Sequence, residues 1–203
     1  MGFAFAILFG IADETKTKKI FENTYVTDFG IPCVYPTFAR YREYGVGRHS
    51  GTVWPHIQGF WAQAAFKNGE YAKFEKELFA LAKNAVRDGQ FVEIYHPKTG
   101  EDYGGIQETS FEKAPSLYKK SCSYQTWSAT AFLNMILEGV IGVNIGENIT
   151  FKPYLPKGVT SAKMLNLWLR GKCYDIQIHR DEMRAGKIVH TEKNGKYFVQ
   201  LFC

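Results

Sequence analysis

Apolar residues recur at steps of three and four along the first two thirds of this chain and at steps of two along the last third. The opening stretch, Met1–Ala12 (MGFAFAILFGIA), is apolar almost throughout and reads as a buried helix. Asp13 is an N-cap candidate for a second helix that runs to about Tyr25, before Gly30-Ile31-Pro32 breaks the pattern. Cys33–Gly51 carries prolines, glycines and polar residues in no period, and predicts a long loop. Trp54–Phe66 follows with Ile57, Phe60, Trp61, Ala64 and Ala65 at helical spacing. Asn68-Gly69 marks a tight turn. Glu70–Val86 then sets Tyr71, Phe74, Leu78, Leu81 and Ala85 on one face, the clearest amphipathic helix in the chain. These two segments predict a helical hairpin. Gly89–Ser123, rich in Gly, Pro, Lys and Tyr, predicts a second long loop, and such length within a compact domain points to function or disorder. Tyr124–Val140 is a further apolar helix ending at Gly139 and Gly142.

After Gly142 the period changes. Asn148–Lys152, Met164–Arg170, Lys172–His179, Lys187–His190 and Lys196–Phe202 read as strands. Alternation is clear in Tyr174, Ile176 and Ile178, and Gly-containing turns such as Arg170-Gly171-Lys172 separate the runs. The expected organisation is a mainly α region over residues 1–144 and a small antiparallel β-domain over residues 145–203.

Composition narrows the function classes. The 203 residues, 45% of them hydrophobic, suffice to pack one large domain or two small ones. Aromatics reach 16%, a share that suits sugar-stacking sites but that cores also consume. The net charge of +5 comes from scattered lysines alternating with acids on helix-like faces, a solvated surface rather than a nucleic-acid footprint. Met1–Ala12 lacks the basic start of a signal peptide and is too short to span a bilayer, so no membrane partner is expected. Cys33, Cys122, Cys173 and Cys203 fall in no CxxC or Cys/His spacing, and neither a zinc site nor a redox motif is indicated. His49 and His56 have no third ligand spaced to join them, so no metal and no cofactor is expected. Asn148-Ile149-Thr150 is a formal glycosylation sequon at a strand start, a pattern that arises easily by chance.

Three motifs occur in order. Arg48–His56 (RHSGTVWPH) resembles the G-x-VWP signature of six-hairpin (α/α)-barrel glycoside hydrolases, the glycogen-debranching, trehalase-like and processing-glucosidase-like superfamily. Phe91–Gly104 (FVEIYHPKTGEDYG) resembles the E-x-Y-x-P-x-T-G loop that carries the catalytic base in that group, and Tyr124–Ala131 (YQTWSATA) is similar to its Q-x-W-S segment. The tail ITFKPYLPKGVTSAKMLNLWLRGKCYDIQI resembles the β-sandwich segment that trails many of these barrels. The series is specific for the superfamily and unspecific for substrate. It implies a partial six-hairpin (α/α) barrel followed by the small antiparallel β-domain, and a carbohydrate substrate.

By that resemblance Glu93 is the general base of an inverting hydrolase, in which one carboxylic acid protonates the leaving oxygen and one carboxylate activates water from the opposite face. The residues themselves are consistent with this, since Glu93 lies among Tyr95, His96 and Tyr103; a surface or salt-bridged glutamate at the end of a helical hairpin is the alternative. The expected substrate-binding set is Arg48, Trp54, Tyr103, Gln125 and Trp127. Trp54 reads either as a stacking wall for the sugar or as a core tryptophan at a helix start. Arg48 reads either as a fork of donors for sugar hydroxyls or as half of a loop salt bridge. Gln125 and Trp127 open the third apolar helix, where side chains can face a barrel mouth.

The chain departs from the family's pattern in one respect. The general acid of the resembled enzymes is an aspartate far upstream of VWP, whereas Asp13 reads as a helix cap and Asp28 as a loop residue. Twelve helices with their loops need roughly 200 residues before any β-domain is added. The expectation is therefore a C-terminal portion whose Met1 lies within a longer ancestral frame and whose general acid lies outside it. Two functions follow from this: the base-bearing part of a glycoside hydrolase, or a non-catalytic, carbohydrate-binding or self-associating fragment. The expected partners are a carbohydrate and either a second copy or the missing N-terminal half.

Overall fold

The computed structural model describes residues 1–41, 45–107, 120–181, 183–193 and 195–203. It divides into two compact units, Met1–Leu133 and Asn134–Cys203. No helix among the described residues is long and apolar enough to cross a membrane.

The first unit begins with α1 (Gly2–Leu8) and α2 (Glu14–Asn23). Asp13 caps α2 as its position predicts, its extended backbone letting the carboxylate accept from the Lys16 amide at 2.8 Å. The opening helix is shorter and less covered than the apolar run suggests. It buries only Ala4 and Ile7, the chain turns at Gly10 with φ +68°, and Phe3, Phe9 and Ile11 lie exposed. Phe5 nonetheless meets Phe60 edge-on at 4.8 Å.

The hairpin of α3 (Pro55–Lys67) and α4 (Tyr71–Asp88) forms as the spacing predicts. Pro55 sits at the first helical position, where its missing N–H costs nothing. Asn68 and Gly69 (φ +76°) reverse the chain, and Gly89 ends α4 in the left-handed conformation. Trp61, Ala62 and Ala65 of α3 and Phe74, Leu78 and Leu81 of α4 are buried, each large side chain contributing roughly 2–3 kcal/mol. A fifth helix, α5 (Thr126–Asn134), comes so close to α3 that a Cβ on Gly59 would stand 2.8 Å from that of Ala131.

In the second unit the expected helix to Val140 changes character: Met135–Val140 is π-helical, with the Ile141 amide donating to the Ile136 carbonyl at 2.8 Å. Strands β1 (Val143–Ile145) and β2 (Ile149–Phe151) pair antiparallel. Gly142 (φ +70°) lies against the Lys152 carbonyl, where any Cβ would collide with backbone. The larger sheet contains β3 (Ser161–Leu169), β4 (Lys172–His179), β5 (Ile188–Lys193) and β6 (Lys196–Phe202) in the order β3-β4-β6-β5. Its buried face is made of neighbouring pairs, Ile176 beside Val199 and Ile178 beside Leu201, with the buried Tyr174 beside the half-buried Tyr197. A bulge in β3 between Met164 and Leu167 is pinned through Asn166: its amide donates to Asp175 at 2.8 Å, and Lys196 donates to its side-chain carbonyl at 2.7 Å.

Two expectations are corrected here. The protein is not mainly α, since 35% of the described residues are helical and 25% are in strands, and the five α-helices among them do not make a six-hairpin barrel. Nor is the second sheet purely antiparallel, because β4 and β6 run parallel. Alternation in a strand reveals which face is buried and is silent about the direction of the neighbouring strand.

Between α3 and α4 lies a polar cluster. Glu77 is wholly buried, its Oε2 accepts from the Ile31 amide at 3.2 Å, and its main-chain carbonyl accepts from Gln58 Nε2 at 3.1 Å. The Oε1 atoms of Glu77 and Gln58 are enclosed and meet no partner among the described residues. Burial, partly offset by the hydrogen bond from the Ile31 amide, raises the Glu77 carboxyl from 4.5 to about 8, and its proton brings a donor to a cluster short of one. The folded state then keeps this proton while the unfolded chain ionises. Stability should be greatest below pH 4.5 and should decline as pH rises to about 8. Glu77→Gln keeps the volume and the acceptor without the titration. It should flatten that decline and add on the order of 3 kcal/mol at pH 8, measured by denaturant unfolding across pH; an unchanged slope would refute the assignment.

Candidate functional site

Three segments without regular secondary structure are laced together by main-chain bonds. Val53 and Tyr95 exchange both of theirs, at 3.0 and 2.9 Å. Cys33 donates to Thr52 at 2.8 Å, Arg48 to Ile106 at 2.8 Å, Ile106 to Val46 at 3.1 Å, and Tyr103 to Ile94 at 3.2 Å. Glu93 donates to the Cys122 carbonyl at 2.9 Å and Gln125 to that of Phe91 at 2.8 Å, which ties the third segment to the second. Gly105 makes the closest approach possible, since with φ +76° a Cβ there would stand 2.6 Å from the Arg48 backbone.

This lacing brings Glu93 to Arg48. Arg48 Nη2 donates to Glu93 Oε2 at 2.5 Å, and Nη1 donates to the Gly104 carbonyl at 3.0 Å. Both side chains are largely withdrawn from water, at 17% and 10% exposure, where an ion pair is screened little. The Cys122 amide donates to the same Oε2 at 3.3 Å, while Oε1 accepts no bond from the described residues. Glu93 thus has one oxygen anchored and one uncommitted.

Aromatic rings lie next to the pair. Trp54 is buried, donates its indole N–H to the Arg48 carbonyl at 2.9 Å and lies 5.4 Å from the guanidinium. His49 stacks on it at 5.2 Å and 17°. His56 stands edge-on to Trp54 at 5.5 Å and 5.4 Å from Trp127, whose ring centre is 6.2 Å from that of Trp54. Trp127 is 42% exposed against 6% for Trp54, so it is the indole with a surface to offer. Burial lowers the His56 imidazole below its ordinary range; the positive amino terminus adds to this and Glu93 opposes it.

Of the expected residues, then, Glu93, Arg48, Trp54 and Trp127 form one cluster. Tyr103 frames the loops: its hydroxyl donates to the Val46 carbonyl at 3.3 Å, its ring meets His96 edge-on at 4.8 Å, and burial raises its phenol. Gln125 opens α5, its carbonyl accepting from Ser128 and Ala129 at 3.2 Å, and its side chain is half-buried. Sequence reading missed the Cys122 amide on Glu93, the Ser121 hydroxyl that accepts from the Ile94 amide at 2.7 Å, and His56 between two indoles. Main-chain donors leave no residue signature, but the step from Trp54 to His56 could have placed the latter.

Removing one partner of a buried pair leaves the other charge unmatched. Arg48→Met should destabilise the chain by about 3 kcal/mol, and the double variant Arg48→Met/Glu93→Leu should recover most of that loss. Denaturant unfolding of the four members of this cycle measures the coupling; additive losses would mean the pair does not hold the loops.

A family model described as amylo-alpha-1,6-glucosidase matches residues 3–134. No curated protein matches the chain.

Proposed function

The chain belongs to the amylo-alpha-1,6-glucosidase family, and on that premise we propose that it supplies the base half of an inverting glycoside hydrolase acting on an α-1,6-linked glucoside. Residues 3–134 are a glycoside-hydrolase-like region. The observation that carries the finer reading is the asymmetry of Glu93: Arg48 and the Cys122 amide hold Oε2, and Oε1 is free of partners among the described residues. A base for water needs a fixed carboxylate with one unoccupied lone pair facing the substrate.

In this reading Oε1 takes a proton from a water molecule as its oxygen attacks the anomeric carbon. The bond from that carbon to the leaving oxygen breaks, and a general acid on the opposite face gives the leaving oxygen a proton. One water is consumed, two sugars leave, and exchange with solvent resets the two carboxyls. A second segment provides the acid. Trp127 offers a stacking face to the sugar, while Trp54 braces Arg48 from beneath. Arg48 serves the sugar indirectly, because its donors go to Glu93 and Gly104.

The purified chain should accordingly show no turnover of isomaltose. In an assembly that supplies the acid, Glu93→Gln should lower kcat on the order of a hundredfold or more with little change in KM. Glu101→Gln and Asp102→Asn, in the same loop, should cost far less. Turnover by the chain alone, or a kcat that survives Glu93→Gln and collapses in Asp102→Asn, would sink the assignment.

One observation favours a second reading, self-association. Phe3, Phe9 and Ile11 stand 60%, 73% and 73% exposed within one short stretch. On this reading sedimentation at micromolar concentration shows a species heavier than one chain, and Phe3→Ser/Phe9→Ser shifts it to the monomer. A monomeric wild type would exclude it.

A further inference from the structure

His56 has a position that neither the ion pair nor the general base explains. Its Nδ1 is enclosed and meets no hydrogen-bond partner among the described residues. A proton there would be a buried donor with nowhere to go, which costs more than leaving an acceptor unfilled, so the neutral ring carries its proton on Nε2. The residue as a whole is only half-buried, so its open part lies away from Nδ1. The ring leans on Trp54 at 5.5 Å and 88° and on Trp127 at 5.4 Å and 52°, held by aromatic contacts rather than by a polar anchor. Pro55 fixes the backbone just before it, in the first turn of α3. A neutral donor fixed by its rotamer and set beside an exposed indole is the pairing that sugar recognition uses: a face for the apolar side of the ring and a directed N–H for a hydroxyl.

We propose that His56 is a sugar-binding residue, donating its Nε2–H to a hydroxyl oxygen of a glucosyl unit that rests on Trp127. This rests on the reading of the Glu93 cluster as a glycoside site, but it concerns binding rather than turnover. His49, by contrast, stacks flat on the buried Trp54, at 5.2 Å and 17°.

The test is titration of the purified chain with isomaltose at neutral pH, read both by affinity and by the imidazole nitrogen and proton resonances of His56. The Nε2–H tautomer should be present in the free chain, and its resonances should move on sugar binding. His56→Ala should weaken binding about tenfold, the cost of one neutral hydrogen bond. His56→Gln, which retains an N–H donor, should recover part of that loss, and unfolding curves for both variants separate binding from folding. Wild-type affinity in His56→Ala, an Nδ1–H tautomer, or a wild-type chain that binds no isomaltose would each overturn the proposal. The first two leave the Glu93 reading intact, because that reading is measured by kcat in the assembled enzyme; conversely, a normal kcat in Glu93→Gln with weakened binding in His56→Ala would remove the base and keep the binding residue.

Discussion

Arg48 and Glu93 are withdrawn from water together, and neither could stay there alone. Mutual attraction alone offsets the desolvation of two charges poorly, which is why the Gly104 carbonyl on Arg48 and the Cys122 amide on Glu93 Oε2 belong to the same unit as the pair. Those two main-chain groups come from different segments, Gly104 from the loop around Glu93 and Cys122 from the stretch before α5. The pair therefore demands that the loop around Arg48, the loop around Glu93 and the stretch before α5 be held in register, and the Val53–Tyr95 and Arg48–Ile106 bonds provide that register. Gly105 is the steric condition for it, since no side chain fits where its backbone passes Arg48.

The helical hairpin behind this lacing gives it something rigid to fasten to. Trp61 and Phe74 pack the interior of α3 and α4, while Trp54 at the start of α3 reaches the Arg48 carbonyl. A helix start is a good place for such an indole. The backbone is about to become regular, so the ring's direction is set by the helix, yet the residue itself remains in the loop that bears the charge. The same logic puts His56 and Trp127, each in the first turn of its helix, against that indole.

What the sequence made legible follows from period and caps. Asp13 announces α2, and Phe74, Leu78 and Leu81 announce α4, because burial on one face of a helix repeats on a short local rule. The motif order also led to Glu93 and its neighbours, and family membership agrees with that resemblance. The expectation of a partial six-hairpin barrel rested on the order of three motifs, and it failed because motifs mark a family's segments, whereas a barrel depends on how many helices exist and where they pack. The stretches Cys33–Gly51 and Gly89–Ser123 looked structureless for a related reason. Their described residues are tied by single bridges between distant positions, such as Pro32 with Val53 and Gly47 with Ile106, and an isolated bridge has no period to read. Residues 108–119 of the second stretch lie outside the described residues.

The strand order of the larger sheet has a consequence for how this protein is made. β6 lies between β4 and β5, so β3–β4 and β5 share no edge until it arrives. A nascent chain that has emerged through Lys193 has one hairpin and one orphan strand, with the apolar sides of Tyr174, Ile176 and Ile178 still lacking Tyr197, Val199 and Leu201 beside them. The ribosome must release Lys196–Phe202 before either half is sheltered. Until then the protein carries two open edges of the same sheet, and whatever attends its synthesis has to keep those edges from finding the wrong strand.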